Sequence, residues 1–311
     1  MRYILIILVF LSVGANAQMV IKAHANYRPY ASPAANLLLD DYPNAAAAYS
    51  LRKLDKDYAG NCIRVRRSND NAESDIGFTS SGDLDTATLK TFVGANNGLV
   101  VRWYDQSGSA RDASQSTAAN QPRIVNAGVV ERQNNKVAVV YDGSNDVMTV
   151  SSFNNNALSL YIVFSRATGA QLGTTILRKG LTTNVSLEFG LRNNITTNVL
   201  EGFASTGAAT VLSSTSPNAL GGNQIRLGIL IFDNSNVKVG LDNNALVSSA
   251  LSGNLFQGTA PLIIGGLSDD AGTTFVGSWE GRISELIIYG TDKTSDNTNI
   301  KTNINTHYGI Y

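Results

Sequence analysis

The chain has 311 residues, and its 24 lysines and arginines balance its 24 aspartates and glutamates, so the formal net charge is zero. Charged residues make up only 15% of the sequence, whereas roughly a quarter is usual for a soluble domain. This composition argues against a nucleic-acid-binding protein, which needs a basic surface to neutralise phosphates.

The N-terminus has the features of a secretory signal peptide. Arg2 precedes an apolar run over residues 3–13, and Ala15-Asn16-Ala17 matches a small-residue cleavage site. Residues 1–17 are therefore predicted to be a leader, with Met19 as an alternative true start, and the leader predicts a protein located outside the cell. The apolar run is too short to span a bilayer as a helix, so no membrane span is expected.

Residues 18–44 are punctuated by prolines and predict an extended arm rather than a core element. From Ala45 onward, strand-like runs alternate with turns rich in Gly, Asn and Asp, which predicts two packed antiparallel sheets over residues 45–311. Helix is expected only at residues 45–54 and 295–306. The predicted strands cover residues 63–65, 99–104, 137–141, 158–164, 187–191, 225–232, 237–241, 262–264 and 283–289.

The residues of common catalytic and metal sites are scarce. Cys62 is the single cysteine, which excludes an intramolecular disulfide and favours a buried, inert thiol. The only histidines are His24 and His307, one near each end of the chain. We therefore expect no cofactor and no Ser-His-Asp triad.

Several segments resemble the catalytic domain of α-L-arabinofuranosidase B. Residues 47–54 and 63–78 are similar to the start of that domain, and Trp103-Tyr104-Asp105-Gln106-Ser107-Gly108 is similar to its Tyr-Asp-Gln-Ser-Gly stretch. Tyr141-Asp142-Gly143 and the segments 281–289 and 303–310 look like laminin-G and concanavalin A-like modules. The resemblance implies an all-β concanavalin A-like antiparallel sandwich, or jelly roll, with short helices near its N- and C-termini. This form of the module also resembles segments of phage virion and fibre proteins.

The same resemblance implies two catalytic carboxyl groups. Glu188, within Leu187-Glu188-Phe189-Gly190, is the candidate nucleophile. The family's acid/base is an Asp directly after a Gly-Gly pair, but here Gly265-Gly266 precedes Leu267, which cannot donate a proton. Asp269 or Asp270 would have to substitute. The alternative is that Glu188 is an outward-facing strand residue and that the two aspartates form a turn, where Ca²⁺ binding is left open.

Five residues are candidates for contacts with a sugar: Trp103, Tyr104, Asp105, Trp279 and Glu280. Exposed aromatic rings beside polar loops stack on sugar faces, although a tryptophan that closes the end of a sandwich is equally common.

A cluster of arginines and carboxylates precedes these residues. Arg64, Arg66 and Arg67 are predicted to pair with acids such as Asp70 and Asp75, because the planar guanidinium suits bidentate pairing. A site for an anion or an acidic sugar is the alternative.

The function expected from these features is a non-catalytic, lectin-like module on a phage virion, in a fibre or decoration protein that binds host glycans. Residues 18–44 would then attach it to other virion proteins, and a homo-oligomer is compatible with this interpretation. The alternative is a secreted bacterial glycoside hydrolase of α-L-arabinofuranosidase type, or a secreted glycan-binding protein.

Overall fold

The computed structural model describes residues 37–180, 187–268, 275–276 and 278–311. The predicted leader, most of the arm, and Asp269 and Asp270 lie outside these residues. The described helices are α1 (Leu38–Asp41), α2 (Thr86–Val93) and α3 (Asn297–Tyr308). The described strands, in chain order, are β1 Ala45–Ser50, β2 Ile63–Arg67, β3 Glu73–Ile76, β4 Gly98–Trp103, β5 Ala113–Ser114, β6 Arg123–Asn126, β7 Val129–Val130, β8 Arg132–Gln133, β9 Lys136–Val137, β10 Val139–Asp142, β11 Met148–Val150, β12 Leu158–Arg166, β13 Thr175–Gly180, β14 Leu187–Asn193, β15 Val199–Ser205, β16 Thr210–Ala219, β17 Arg226–Phe232, β18 Asn236–Leu241, β19 Val247–Ala250, β20 Leu262–Ile264, β21 Leu267–Ser268, β22 Phe275–Val276 and β23 Glu280–Tyr289.

The strands form the two antiparallel layers of a β-sandwich, as the sequence predicts. One layer runs in the order β18-β17-β12-β23-β1, and the other in the order β16-β15-β14-β13-β20-β11. The layers pack closely: a Cβ atom added to Gly202 in β15 would lie 2.6 Å from Val239 Cγ2 of β18. The main hydrophobic core lies between the layers.

The apolar run in β12 is buried on both faces. Leu160, Ile162 and Phe164 belong to the core between the layers, whereas Tyr161 and Val163 belong to a second cluster that includes residues of α1 and α3. Successive strand residues point to opposite faces, so a strand covered on both sides has no polar alternation. This explains why residues 158–164 form an unbroken apolar run.

The first predicted helix is wrong. Residues 45–50 form strand β1, which pairs with the central strand β23 through Ala48 and Ile287 and through Tyr49 and Leu286. The helix propensity of alanine is small, and tertiary packing readily overrides it. Here the burial of Tyr49 in the sandwich core favours the strand. The N-terminal helix is instead the single turn α1, whose Leu38 and Leu39 are buried within the segment predicted as an arm.

The C-terminal helix is confirmed. Helix α3 spans Asn297–Tyr308 and ends at Gly309, whose φ of 61° is the left-handed conformation that glycine adopts readily. Ile300, Ile304 and Tyr308 recur every four residues on one face and are buried. Cys62 is also buried, and burial raises the pKa of its thiol well above the usual value, so it is a poor nucleophile.

Candidate functional site

Glu188 is buried rather than exposed on the face of β14. Its neighbours Leu187 and Phe189 alternate with it, and Phe189 belongs to the core between the layers, so Glu188 faces the other side of the sheet. Only 1% of its side chain is accessible, and Lys179 Nζ lies 2.5 Å from both of its carboxylate oxygens. Glu188 therefore faces away from the core between the layers, but it is buried in an ion pair.

The environment of this ion pair is closed. Lys179 Nζ also donates to Asn154 Oδ1 at 3.2 Å, and none of its side chain is accessible. Burial raises the pKa of Glu188, and the hydrogen bond from Lys179 opposes that shift. Burial likewise lowers the pKa of Lys179, against the opposing effect of Glu188. The carboxylate of Glu188 is therefore engaged by Lys179 and almost fully shielded from solvent.

The strand register also separates Glu188 from the Gly-Gly pair that should mark its catalytic partner. Gly265 N–H donates to Ile176 O at 2.8 Å, which places Gly265-Gly266 beside the beginning of β13. Thr175 pairs with Arg192 at the C-terminal end of β14, whereas Glu188 lies at the N-terminal end of that strand. Leu267, directly after the pair, begins the short strand β21. Glu188 is therefore not adjacent to the position where the family carries its acid.

Another carboxylate, Glu201 of β15, lies at the same level of the sheet as Thr175 and Arg192. These three paired residues on β13, β14 and β15 form a row across the strands. Arg192 pairs with Glu201 across the two strands, and Arg192 Nε donates to Glu201 Oε2 at 2.6 Å. Asn194 Nδ2 donates to Oε1 at 3.3 Å. Because Leu200 and Gly202 face the sandwich core, Glu201 projects from the opposite face of the layer, with its carboxylate against a guanidinium and an amide.

The sequence analysis missed Glu201. Leu200-Glu201-Gly202 and Leu187-Glu188-Phe189-Gly190 are both Leu-Glu segments with a nearby glycine in adjacent strands. Only the register shows that Glu201, and not Glu188, lies at the level of Gly265-Gly266 along the strands. The sequence did contain one relevant pattern, the arginine nine positions before Glu201, but that pattern has meaning only once β14 and β15 are known to form a hairpin.

The two glutamates do not form a catalytic pair with each other. Glu188 is four residues from Arg192, which pairs with Glu201, and four residues of strand span about 13 Å. Paired carboxyl groups lie roughly 5–5.5 Å apart in retaining glycosidases and about 6.5–9.5 Å apart in inverting ones. One of these glutamates at most can act at a given glycosidic bond.

Asp146 has the protonation state of a general acid but the wrong location. Burial, followed by the charge of Asp142, raises its pKa to about 7. It precedes β11, however, which is separated from β15 by β20, β13 and β14. Four strand spacings amount to about 19 Å, too far for Asp146 to act with Glu201.

Trp103, Tyr104 and Asp105 hold the loop that follows β4 and do not form an open sugar site. Trp103 is fully buried, with its ring centroid 6.3 Å from that of Tyr49. Tyr104 Oη donates to Asp75 Oδ1 at 2.6 Å. Asp105 accepts hydrogen bonds from the backbone N–H groups of Ala48, Ser107 and Arg111. The predicted binding role of Trp103 and Asp105 is corrected, because neither side chain has a free surface to offer.

Trp279 is also buried, so the question that the sequence left open is decided in favour of packing. Its ring meets that of Phe164 in an edge-on arrangement with centroids 5.7 Å apart. Glu280 is half-buried and lines a cavity of about 180 Å³ with Ser144 and Thr174. Of the aromatic candidates for stacking on sugar, only Tyr104 retains any exposure.

The arginines of β2 pin the surrounding loops. Arg64 Nη2 lies 2.7 Å from Asp75 Oδ2, and Arg67 Nη2 lies 2.6 Å from Asp70 Oδ2. Arg66 instead donates to Gln121 Oε1 and to two other oxygens, those of Asn71 and Ala118.

Within residues 37–180, 187–268, 275–276 and 278–311, no group of three or more His, Cys, Asp or Glu residues is arranged to hold a metal ion. In the same part of the chain, no helix is both long and apolar enough to cross a membrane.

Comparisons with known proteins extend the fold assignment. The family model "Alpha-L-arabinofuranosidase B, catalytic" matches residues 39–166, which is less than half of the chain and ends before Glu188 and Glu201. The chain therefore contains a β-sandwich domain similar to that of arabinofuranosidase B. No curated protein sequence is significantly similar to it.

Three solved structures share the fold. They are a variant of a family 54 α-L-arabinofuranosidase soaked with 4-nitrophenyl α-L-arabinofuranoside (TM-score 0.62), a family 54 enzyme soaked with a cyclic sulfate inhibitor (TM-score 0.61), and an arabinofuranosidase complexed with arabinofuranosyl-α-1,2-xylobiose (TM-score 0.62). Each is 15% identical to this chain and matches 84% of it. The chain spans 62% of the length of each of these enzymes.

These findings correct the expected function. The matching family model describes a glycoside hydrolase catalytic domain, and the non-catalytic module of a phage virion, with its virion partners, has no support among the comparisons. The enzyme alternative is favoured instead.

Proposed function

We propose that this protein is a glycoside hydrolase that cleaves α-L-arabinofuranosides, with Glu201 as its nucleophile. The observation that carries the proposal is the ion pair of Glu201 with Arg192 in the hairpin of β14 and β15, at the end of the sheet where Gly265-Gly266 lies three strands away. The match to an arabinofuranosidase catalytic domain over residues 39–166 supports the substrate class.

In this mechanism the Glu201 carboxylate attacks the anomeric carbon and forms a covalent glycosyl-enzyme, which water then hydrolyses. Arg192 and Asn194 donate to the two carboxylate oxygens, so they fix the orientation of the carboxylate before substrate binds. Fixing the reacting group in this way lowers the barrier, because the geometry of attack no longer has to be found during the reaction.

The acid/base is proposed from the sequence. Leu267 cannot donate a proton, and Glu188 and Asp146 lie too far from the Glu201 row. Asp269 and Asp270, outside the described residues, remain the candidates. A 4-nitrophenolate leaving group departs without protonation, whereas a sugar alkoxide requires an acid. If neither aspartate acts, hydrolysis would be limited to substrates with such activated leaving groups.

The test is hydrolysis of 4-nitrophenyl α-L-arabinofuranoside by the wild type, Glu201→Gln and Glu131→Gln. Glu131 is the matched control, because it too is a largely buried glutamate paired with an arginine, Arg123, at 2.9 Å. We expect Glu201→Gln to lower kcat by roughly three orders of magnitude, and Glu131→Gln to retain activity in proportion to its folded fraction. A wild type that binds arabinofuranosides but never turns them over would refute the proposal.

Asp269→Asn and Asp270→Asn, assayed on an arabinosyl xylo-oligosaccharide as well as on the nitrophenyl substrate, assign the acid. Loss of activity on the oligosaccharide, with the first step on the nitrophenyl substrate retained, identifies the acid. Unchanged activity on both substrates would exclude that aspartate.

A further inference from the structure

A second polar cavity lies apart from the Glu201 row. Its volume is about 250 Å³, and its described walls come from the end of β1, the turn over residues 79–86, the β8–β9 hairpin and the end of α3. None of the residues assigned above to catalysis lines it. The volume is below the roughly 300–1,000 Å³ of a pocket for a drug-sized ligand, so it suits a single small ring.

The cavity is built on a rigid base. Beneath it, Arg52 Nε donates to Glu285 Oε2 at 2.8 Å, and both side chains are buried. Tyr308 Oη donates to the same Glu285 oxygen at 3.2 Å. Asn134 Nδ2 donates to Tyr308 O at 2.9 Å, which joins the hairpin to the end of the helix. The walls are therefore held in place before any ligand arrives.

One wall carries two cations. Lys136 is half-buried, and within the described part of the chain its ammonium makes no hydrogen bond and no ion pair. Arg132 donates through Nη1 to Asn135 O at 2.9 Å and leaves its other N–H groups toward solvent. An anionic group in the cavity would give these two cations an ion-pair partner.

Other residues of the lining carry hydrogen-bond acceptors and hydroxyl groups. Asp83 and Ser81 are among them, with Ser81 Oγ 3.4 Å from Asp83 Oδ2. His307 Nε2 lies 3.8 Å from Asp83 Oδ1. Burial and the nearby Arg52 lower the pKa of His307 to about 4, so the imidazole is neutral at pH 7. An anion without hydroxyl groups would be repelled by the Asp83 carboxylate, whereas the hydroxyl groups of a sugar would donate hydrogen bonds to it.

We propose that this cavity binds one uronic acid unit of a glycan, with the sugar carboxylate at Lys136 and Arg132 and its ring hydroxyls at Asp83 and Ser81. The pairing of a cationic wall with an acceptor wall selects a ligand that is anionic at one end and rich in hydroxyls at the other. The site is separate from the proposed catalytic one and does not require that the protein be a hydrolase.

Isothermal titration calorimetry with D-galacturonate and D-glucuronate tests the proposal, with D-galactose, D-glucose and inorganic phosphate as comparison ligands. We expect saturable binding of at least one uronate, at least roughly tenfold tighter than that of the neutral sugar or phosphate. Lys136→Gln should weaken uronate binding by a similar factor, and Lys136→Arg should restore most of it. Lys90→Gln, on the exposed face of α2, is the matched control and should bind as the wild type does.

The catalytic variant separates the two sites. Glu201→Gln should bind the uronate with unchanged affinity even if the protein proves to have no hydrolase activity. Three outcomes would overturn the proposal: no saturable uronate binding, equal binding of neutral sugars, or phosphate binding as tight as uronate binding and equally dependent on Lys136, which would mean a simple anion site. Loss of uronate binding in Glu201→Gln would place the ligand elsewhere.

Discussion

Arg192 and Glu201 face each other across adjacent antiparallel strands, with Arg192 Nε 2.6 Å from Glu201 Oε2. A short connection joins the two strands, so one hairpin sets the relative position of both side chains. The same hairpin places both side chains at the level of Gly265-Gly266 along the strands, with β13 between Arg192 and the glycine pair, and both β13 and β14 between Glu201 and the glycine pair. This relationship, rather than any single motif, identifies the candidate catalytic end of the sheet.

The buried side chains of Lys179 and Glu188 should be strongly coupled in stability without taking part in the reaction. Removing one partner leaves a buried charge without compensation, which costs about 3–5 kcal/mol. We expect Lys179→Met and Glu188→Leu each to lower the free energy of unfolding by about that amount, and the double variant to lose much less than their sum. Urea denaturation of all four proteins measures the coupling, and strictly additive losses would show that the two side chains do not interact.

Asp146 should make stability fall as the pH rises. Its folded pKa of about 7 lies above the reference value of 3.8, so between those values the unfolded chain releases a proton that the folded protein keeps. The free energy of unfolding therefore falls by an amount on the order of 4 kcal/mol between pH 4 and pH 7. Asp146→Asn lacks this dependence, so its stability relative to the wild type should increase over that window. A difference that stays constant from pH 4 to pH 7 would contradict the account.

His307 should make the stability of the folded protein fall as the pH falls. Its folded pKa of about 4 lies below the reference value of 6.5, because burial, Arg52 and Lys136 disfavour the charged ring more than Glu285 and Asp83 favour it. As the pH falls from 6.5 toward 4, the unfolded chain binds a proton at this residue and the folded protein does not. The free energy of unfolding therefore falls by about 3 kcal/mol over this range.

Thermal or urea denaturation of His307→Gln beside the wild type isolates this effect. The wild type should lose stability relative to the variant over that acidic window, and the two should differ by a constant amount above pH 7. Parallel pH profiles throughout would show that His307 titrates normally in the folded protein.

The sequence was sufficient to predict most of the fold, because strands covered on one or both sides leave characteristic patterns. The apolar run of β12 and the turn-bounded run of β17 are two such cases. The alanine run of β1 was misread because its conformation depends on pairing with β23, more than two hundred residues away. Local propensity carries no information about such a partner.

The candidate site was predicted less well, for a related reason. Glu188 and Glu201 have similar local sequences, and only strand register separates the buried partner of Lys179 from the carboxylate paired with Arg192. The predicted sugar contacts of the aromatic residues were not found for a different reason. Trp103 and Trp279 lie beside polar loops in the sequence, but their rings point into the core. Because adjacent strand residues point to opposite faces, a shift of one position exchanges a buried ring for an exposed one.

The central claim, that Glu201 is a glycosidase nucleophile, is tested most directly by covalent labelling. The wild type and Glu201→Gln would be incubated with an arabinofuranose-configured cyclic sulfate, a class of inhibitor soaked into a family 54 enzyme that shares this fold, and the proteins would be digested for peptide mass mapping. The account predicts one arabinose-derived adduct on Glu201 in the wild type and none in the variant. An adduct on Glu188, or no adduct in an enzyme that hydrolyses the nitrophenyl substrate, would contradict it.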